Sequence, residues 1–252
     1  MNYKKPKAIL LHATPLAISE IAGRVCYDSF QLSENEDIKE FKQTLSLPTP
    51  DIEESKLIDN LVNVYFHEST AEHINLSYYI QDISREIIIE ANRHRIGIAT
   101  SQKSSRYTIE KMINSWIDHS EKIDKESYQK FVNIIGESIV HENEDMIKLE
   151  ADKISQMLFL YHKEEPLQKG LTGGAKKKQN DRVKRCLPES WMLEGVWTFN
   201  LRALKHFVEL RSSGSAYYGI RELTEEILRV TPHKYRILID KKYKKEFGKG
   251  VE

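Results

Sequence analysis

EHINLSYYIQDISREIIIEANRHR, residues 72–95, is the stretch on which the fold turns. Leu76, Tyr79, Ile80, Ile83, Ile87, Ile88 and Ala91 fall mostly three and four apart, a spacing that collects them on one side of a helix. The spacing predicts one long amphipathic helix with Arg93, His94 and Arg95 at its C-terminal end, where cations complement the helix dipole. Gly97 then loosens the backbone, and SQKSS has loop composition. No acid occurs between Arg93 and Tyr107, so the segment packs, lies in solvent or binds an anion.

Toward the N-terminus, KAILLHA (residues 7–13) reads as a buried strand ended by Thr14 and Pro15. AISEIAGRVCYDSF reads as a helix with Ile18, Ile21, Ala22 and Val25 inward, which makes Cys26 a core residue. Residues 28–52 are polar and suit a short helix within a loop, and Asp51 is placed to cap a helix carrying Leu57, Ile58, Leu61, Val62 and Tyr65. Toward the C-terminus, RYTIEKMINSWI predicts a helix with Ile109, Met112, Ile113 and Trp116 inward. Two more helical patterns fill residues 127–161 and break near HENED. Residues 163–181 are basic and punctuated by Pro166, Gly170, Gly173 and Gly174, a mobile loop by composition. SWMLEGVWTFNLRALKHFVELR predicts a second long helix with Ser190 as its cap; AYYGIRELTEEILRV predicts another, stopped by Pro232, and KYRILID a last strand. The expectation is one domain over residues 1–252, mostly helical with a few short strands. Neither a βαβ succession nor GxGxxG is present to support a doubly wound nucleotide fold.

Composition narrows the function. Lys plus Arg and Asp plus Glu both number 38 in 252 residues, which disfavours a general nucleic-acid coat. Cys26 and Cys186 form no CxxC pattern, and the opening apolar run is too short for a signal peptide. With no membrane-length apolar stretch, the chain reads as cytosolic.

Two readings compete at Arg93, His94, Arg95 and Arg106. They form a solvated helix end with loose ion pairs, or several guanidinium forks gripping a phosphate. Ser104 and Ser105 add hydroxyls and backbone N–H groups to the second. Lys184 and Arg185, before the CLP turn, are better placed to face a site than Lys176 to Lys178. Arg211 ends a helical stretch, where a plain helix-end cation is the simpler reading. HENED has the wrong order for HExxH, and His67 and His73 do not share a helical face, so no metal site is expected. Cys186 beside Arg185 is a thin nucleophile candidate, one basic neighbour being weak ground for a lowered thiol pKa.

Read in order, RHR, SQKS and RY (93–107) resemble the signature of the flavin-dependent thymidylate synthase family: RHR, seven residues, Ser, one residue, RY. FHESTAEH (66–73) is similar to that family's GHxSPFEH, and RVCY, RCLP, WTFNLRALKHFVELR and SAYYGIREL resemble further segments in the family's order. The resemblance implies an α/β (α+β) domain with long helices around a small central sheet. It also implies dTMP made from dUMP, with methylenetetrahydrofolate giving the carbon, NADPH the reducing power and FAD the hydride, in a homotetramer with shared sites. Carried over by residue, it places His67, Arg93, His94, Arg95, Asn200 and His206 beside FAD. Glu90, Arg93, Gln102, Lys103, Ser104, Ser105, Arg106 and Lys184 fall beside the nucleotide. Arg211 would meet the uracil ring and stabilise negative charge as C5 becomes nucleophilic. Ser104 would bind rather than attack. The sequence departs from the pattern in four places: eight residues separate Arg95 from Ser104, Glu90 stands for a glutamine, Lys184 for an arginine, and AYYGI (216–220) for AQWEI, which removes an acid and enlarges an aromatic face. An ionised Glu90 beside phosphate must turn away, pair with an arginine or hold a proton. The departures leave open a diverged flavoenzyme acting on another pyrimidine nucleotide, and a nucleotide-binding protein without catalysis.

Overall fold

The computed structural model describes residues 4–141 and 143–247 and begins with strand β1 (Lys7–Ala13) and helix α1 (Leu16–Cys26), as the sequence predicts, except that β1 is not a buried strand: only Ala8 is buried, and Ile9 and Leu11 are exposed. The buried face of α1 is a different one, however: Leu16, Ala17, Ser19, Glu20, Gly23 and Arg24, with Val25 and Cys26 exposed. Two features make that polar face buriable. Glu20 Oε1 accepts from Arg24 Nη2 at 3.0 Å and from Ser33 Oγ at 2.8 Å, so neither charge is stranded. A Cβ on Gly23 would lie 3.1 Å from Leu57 and Leu61, so the glycine lets the next long helix approach closely.

Two four-residue helices, α2 (Glu36–Lys39) and α3 (Phe41–Thr44), occupy the polar stretch before α4 (Lys56–Asn63). Ser55 caps α4, accepting from Ile58 N at 3.3 Å. Asp51 instead caps α1 from a distance, accepting from Leu16 N at 2.9 Å and Ala17 N at 3.1 Å while Lys234 reaches it at 2.8 Å.

The stretch at residues 72–95 is not one helix. It is strand β2 (Asn75–Ser84) followed by α5 (Arg85–Ala91), and Arg93 to Arg95 lie in the turn beyond. Leu76, Tyr78 and Ile80 are buried alternately, a period of two that a helical count overlooks. Ser84 Oγ then accepts from Ile87 N at 3.3 Å and starts the helix. The sequence SQKSS contributes its first two residues to β3 (Ile98–Gln102).

Helices α6 (Glu110–Lys122), α7 (Lys125–Ser138) and α8 (Glu144–Glu164) follow the predicted pattern, with Ile109, Met112, Ile113 and Trp116 buried. Part of the basic loop expected over residues 163–181 is helix α9 (Gly173–Val183), tied by Lys176 to Glu110 at 2.6 Å and by Arg182 to Glu165 at 3.0 Å. The second supposed long helix is again a strand and a helix, β4 (Met192–Asn200) and α10 (Leu201–Arg211). Gly195, Trp197 and Phe199 alternate inward, and Asn200 caps α10 by accepting from Ala203 N at 2.8 Å. Ser190 caps nothing; its hydroxyl is buried without a partner. After α11 (Tyr218–Val230), KYRILID lies in helix α12 (His233–Ile239) rather than a strand, because Tyr235, Leu238 and Ile239 bury at helical spacing; α13 (Lys241–Phe247) follows.

The four strands form one antiparallel sheet in the order β1-β2-β4-β3. The described chain divides into two compact units. One holds Gln81–Glu90 and Gln102–Gly195 with the start of the chain. Its core gathers Trp116, Phe131, Ile135, Ile154, Leu158 and Trp191, each contributing roughly 1.5–3 kcal/mol by burial. Cys186 joins that core, and burial pushes its thiol up to about 12, in line with the thin case for it as a nucleophile. The second unit holds Lys7–Ile80, Ala91–Ser101 and the chain from Val196 onward. There Trp197, Phe199, Phe207 and Tyr78 are fully buried.

Candidate functional site

In the second unit, the turn after α5 and helix α10 enclose a cleft of about 490 Å3. Arg93, His94, Arg95, Ile96 and Ile98 line one side, and Ala203, His206, Leu210 and Arg211 the other. His206 and Leu210 share a face of α10 because they are four residues apart, and Arg211, at the helix's last residue, reaches the same cleft. His94 is fixed from several directions. Arg211 Nε donates to His94 Nε2 at 2.9 Å, which leaves the ring proton on Nδ1. The rings of His206 and Phe207 stand 5.8 Å and 5.0 Å from that of His94. Three arginines beside Ile96, Ile98 and Leu210 fit a ligand that is anionic at one end and flat and apolar at the other.

Asn200 frames this cleft rather than lining it. Its backbone N–H donates to Gly97 O at 2.8 Å, and its side chain caps α10. Gly97 has φ +73, and a Cβ there would come within 2.5 Å of Asn200 Nδ2, so only glycine fits the turn. His67 lies on another part of the same unit, exposed, with its Nδ1 3.1 Å from Tyr27 Oη.

In the first unit, a short helical turn (Ser105–Tyr107) presents Arg106. Asp181 Oδ1, at the C-terminal end of α9, is 3.5 Å from Arg106 Nε and accepts from Lys184 Nζ at 3.1 Å. Contact with Lys184 lowers the Asp181 carboxyl below its ordinary range, Arg106 adding to the effect against some desolvation. Asn180, buried, donates to Arg106 O at 2.7 Å and fixes the turn. Ser104 Oγ accepts from Arg106 Nε at 3.4 Å, and Ser105 O accepts from Thr108 Oγ1 at 2.9 Å. The amide nitrogen of Gln102 is buried without a hydrogen-bond partner, an unmet donor of the kind a ligand satisfies. Lys103 is engaged otherwise: its ammonium meets Glu194 at 2.7 Å and its backbone N–H donates to Glu194 O at 2.8 Å. Glu90 is half-buried at the end of α5.

Thus the structure joins Arg93, His94, Arg95, His206 and Arg211 in one cleft, and Ser104, Arg106 and Lys184 in one polar cluster. Sequence reasoning missed Asp181 and Asn180. The three-residue spacing from Asp181 to Lys184 on one helix was the available signal for the first. Among the described residues, no group of three His, Cys, Asp or Glu could hold a metal, and no helix is long and apolar enough to cross a membrane.

Comparison with known proteins agrees over most of the chain. Residues 9–234 match the model of the family described as "Thymidylate synthase complementing protein". A flavin-dependent thymidylate synthase of Wolinella succinogenes is 32% identical over 229 residues, covering 91% of this chain and 95% of that one. One from Campylobacter jejuni is 31% identical over 232 residues, covering 92% and 94%. The crystal structure of thymidylate synthase X from Helicobacter pylori with FAD and dUMP superposes with a TM-score of 0.66 at 25% identity, covering 94% of this chain and 98% of that one.

Proposed function

Since the chain belongs to the flavin-dependent thymidylate synthase family, we propose that it converts dUMP to dTMP, taking the carbon from methylenetetrahydrofolate and reducing equivalents from NADPH. FAD, when bound, supplies the hydride that completes the methyl group. The observation that carries this reading is the cleft of Arg93, His94, Arg95 and Arg211 with its apolar walls, which fits a dinucleotide bearing a flat ring.

Each residue has a task derived from its surroundings. Arg93 and Arg95 would hold the cofactor's diphosphate, and His94, held by Arg211 and Phe207, would help to seat the flavin. His206 lines the same wall, Asn200 keeps the Gly97 turn in register, and His67 adds a contact to the cofactor from its exposed turn. Arg106, Lys184, Ser104, Ser105 and Gln102 take the nucleotide. Phosphate replaces the Asp181 carboxylate on Arg106 and Lys184, and the unmet amide of Gln102 gains an acceptor. Arg211 stabilises the negative charge that develops on the uracil as C5 attacks the one-carbon unit. Lys103 and Glu90 lie on the nucleotide side, Lys103 acting through its hold on Glu194.

Four copies assemble, which is supported by the exposure of Phe66, Ile96 and Tyr107 on the segments that carry these residues. The two free cysteines fit a reducing cytoplasm. Purified protein given FAD, NADPH and methylenetetrahydrofolate forms dTMP from dUMP and acts poorly on dCMP and UMP. Absence of dTMP, or preference for another nucleotide, contradicts the assignment.

A further inference from the structure

Lys205 is almost fully buried, at 3% exposure, on the face of α10 turned away from the cleft. Its ammonium donates to Val62 O at 2.7 Å and to Glu68 Oε1 at 2.7 Å, and lies 5.7 Å from the centre of the Phe66 ring. These partners surround one turn. Asn60, Leu61 and Val62 carry terminal carbonyls of α4; Tyr65 N reaches the first at 2.8 Å, His67 N the second at 2.8 Å, and Lys205 the third. Between them Phe66 holds φ +56, a conformation a non-glycine residue keeps only where its neighbours over-determine it. Tyr65, Phe66 and His67 are all exposed, so side-chain burial does not fix their path. The fixing is polar: two backbone hydrogen bonds to the α4 carbonyls and, from α10, the Lys205 ammonium.

We propose that Lys205 is a positioning residue: its ammonium clamps the α4 end to Glu68 and thereby sets the turn that presents His67. The consequence for cofactor rests on the reading of His67 as a flavin-side residue; the clamp itself does not. One helix then steadies both histidines, since Lys205 holds the His67 turn while Arg211 holds His94 from the other side of α10.

Lys205→Met keeps the stem and removes the charge, and Glu68 retains Arg202 at 3.4 Å, so no carboxylate is left alone in the core. Amide hydrogen exchange on the full chain without FAD is the first measurement. Exchange at residues 65–68 rises about ten-fold in the variant while the amides of α10 are unchanged. An unaltered turn, or an equal rise throughout the protein, overturns the clamp. Titration with FAD followed by flavin fluorescence is the second. Lys205→Met weakens FAD binding about ten-fold in the native background and less than about two-fold in a His67→Ala background, as expected of two residues acting through one contact. Equal losses in both backgrounds overturn action through His67. A native chain that takes up no FAD overturns the flavin reading instead, and the exchange result still decides the clamp.

Discussion

The two clusters of cations are built on opposite principles. Around His94 the contacts are packed and directional: a guanidinium at 2.9 Å, two rings edge-on or tilted, and a glycine turn that admits no side chain. Around Arg106 the contacts are ionic, half-exposed and shared, one Asp181 oxygen serving both Arg106 and Lys184. Exposed pairs of that kind contribute little to stability, so an incoming phosphate exchanges with the carboxylate at small cost. The first arrangement suits a cofactor held for many turnovers. The second suits a substrate that must leave.

Removing Arg211 tests the packed cluster most severely. Arg211→Ala is expected to lower kcat by about 10²–10³-fold, the loss typical of one donor aimed at developing charge, while FAD stays bound. Steady-state kinetics with flavin content measured on the same sample check this. Retained turnover breaks the comparison. In the exchangeable cluster, Arg106→Ala should act on KM instead, raising it for dUMP about ten- to a hundred-fold, equivalent to one charged hydrogen bond of about 1.5–3 kcal/mol. The native KM should itself rise with added salt. An equal fall in kcat with KM unchanged would place Arg106 with the packed cluster.

Gly97→Ala probes the frame alone. The positive φ and the 2.5 Å approach to Asn200 predict a loss of about 1–3 kcal/mol, read as a lower urea midpoint with weakened FAD binding.

The smallest effect separates two carboxylates. Both Asp51 and Asp181 have lowered pKa values, but for different reasons. Burial raises the Asp51 carboxyl, and this is outweighed by Lys234 and by the backbone N–H groups of Leu16 and Ala17. Because its folded value lies below the unfolded one, Asp51 stabilises the fold above the ordinary carboxylate range. That stability disappears as pH falls from about 4 through the depressed value. Asp51→Ala should cost about 1 kcal/mol near neutrality and flatten the acid limb of a Tm profile. Asp181→Asn, at an exposed pair, should leave that limb unchanged.

What the sequence made legible follows from the same physics. Because charge and chemical type survive without coordinates, the acid-free segment and the ordered motifs point to the cations of both clusters, though not to Asp181 between Arg106 and Lys184. The helices over residues 110–164 are legible because their buried residues repeat at helical spacing over several turns. The two strand–helix junctions are not. Leu76, Tyr78 and Ile80 alternate for only a few residues before Ile83, Ile87 and Ile88 resume a helical count, so a single window averages two periods into one. The markers that separate them are the caps, Ser84 and Asn200, each a polar residue directly after a buried apolar one, Ile83 and Phe199. Lys205 illustrates a second limit: nothing in its local sequence announces a buried cation, because the partners that permit burial, Glu68 and Val62 O, become visible only in the fold.

The visible absorption spectrum of the purified protein, recorded before and after dUMP is added, tests the central claim most directly. The account predicts a flavin spectrum that shifts on addition of dUMP in the native protein and stays still in Arg106→Ala at the same nucleotide concentration. A preparation that holds no flavin, or a flavin band indifferent to dUMP at saturating concentration, would contradict it.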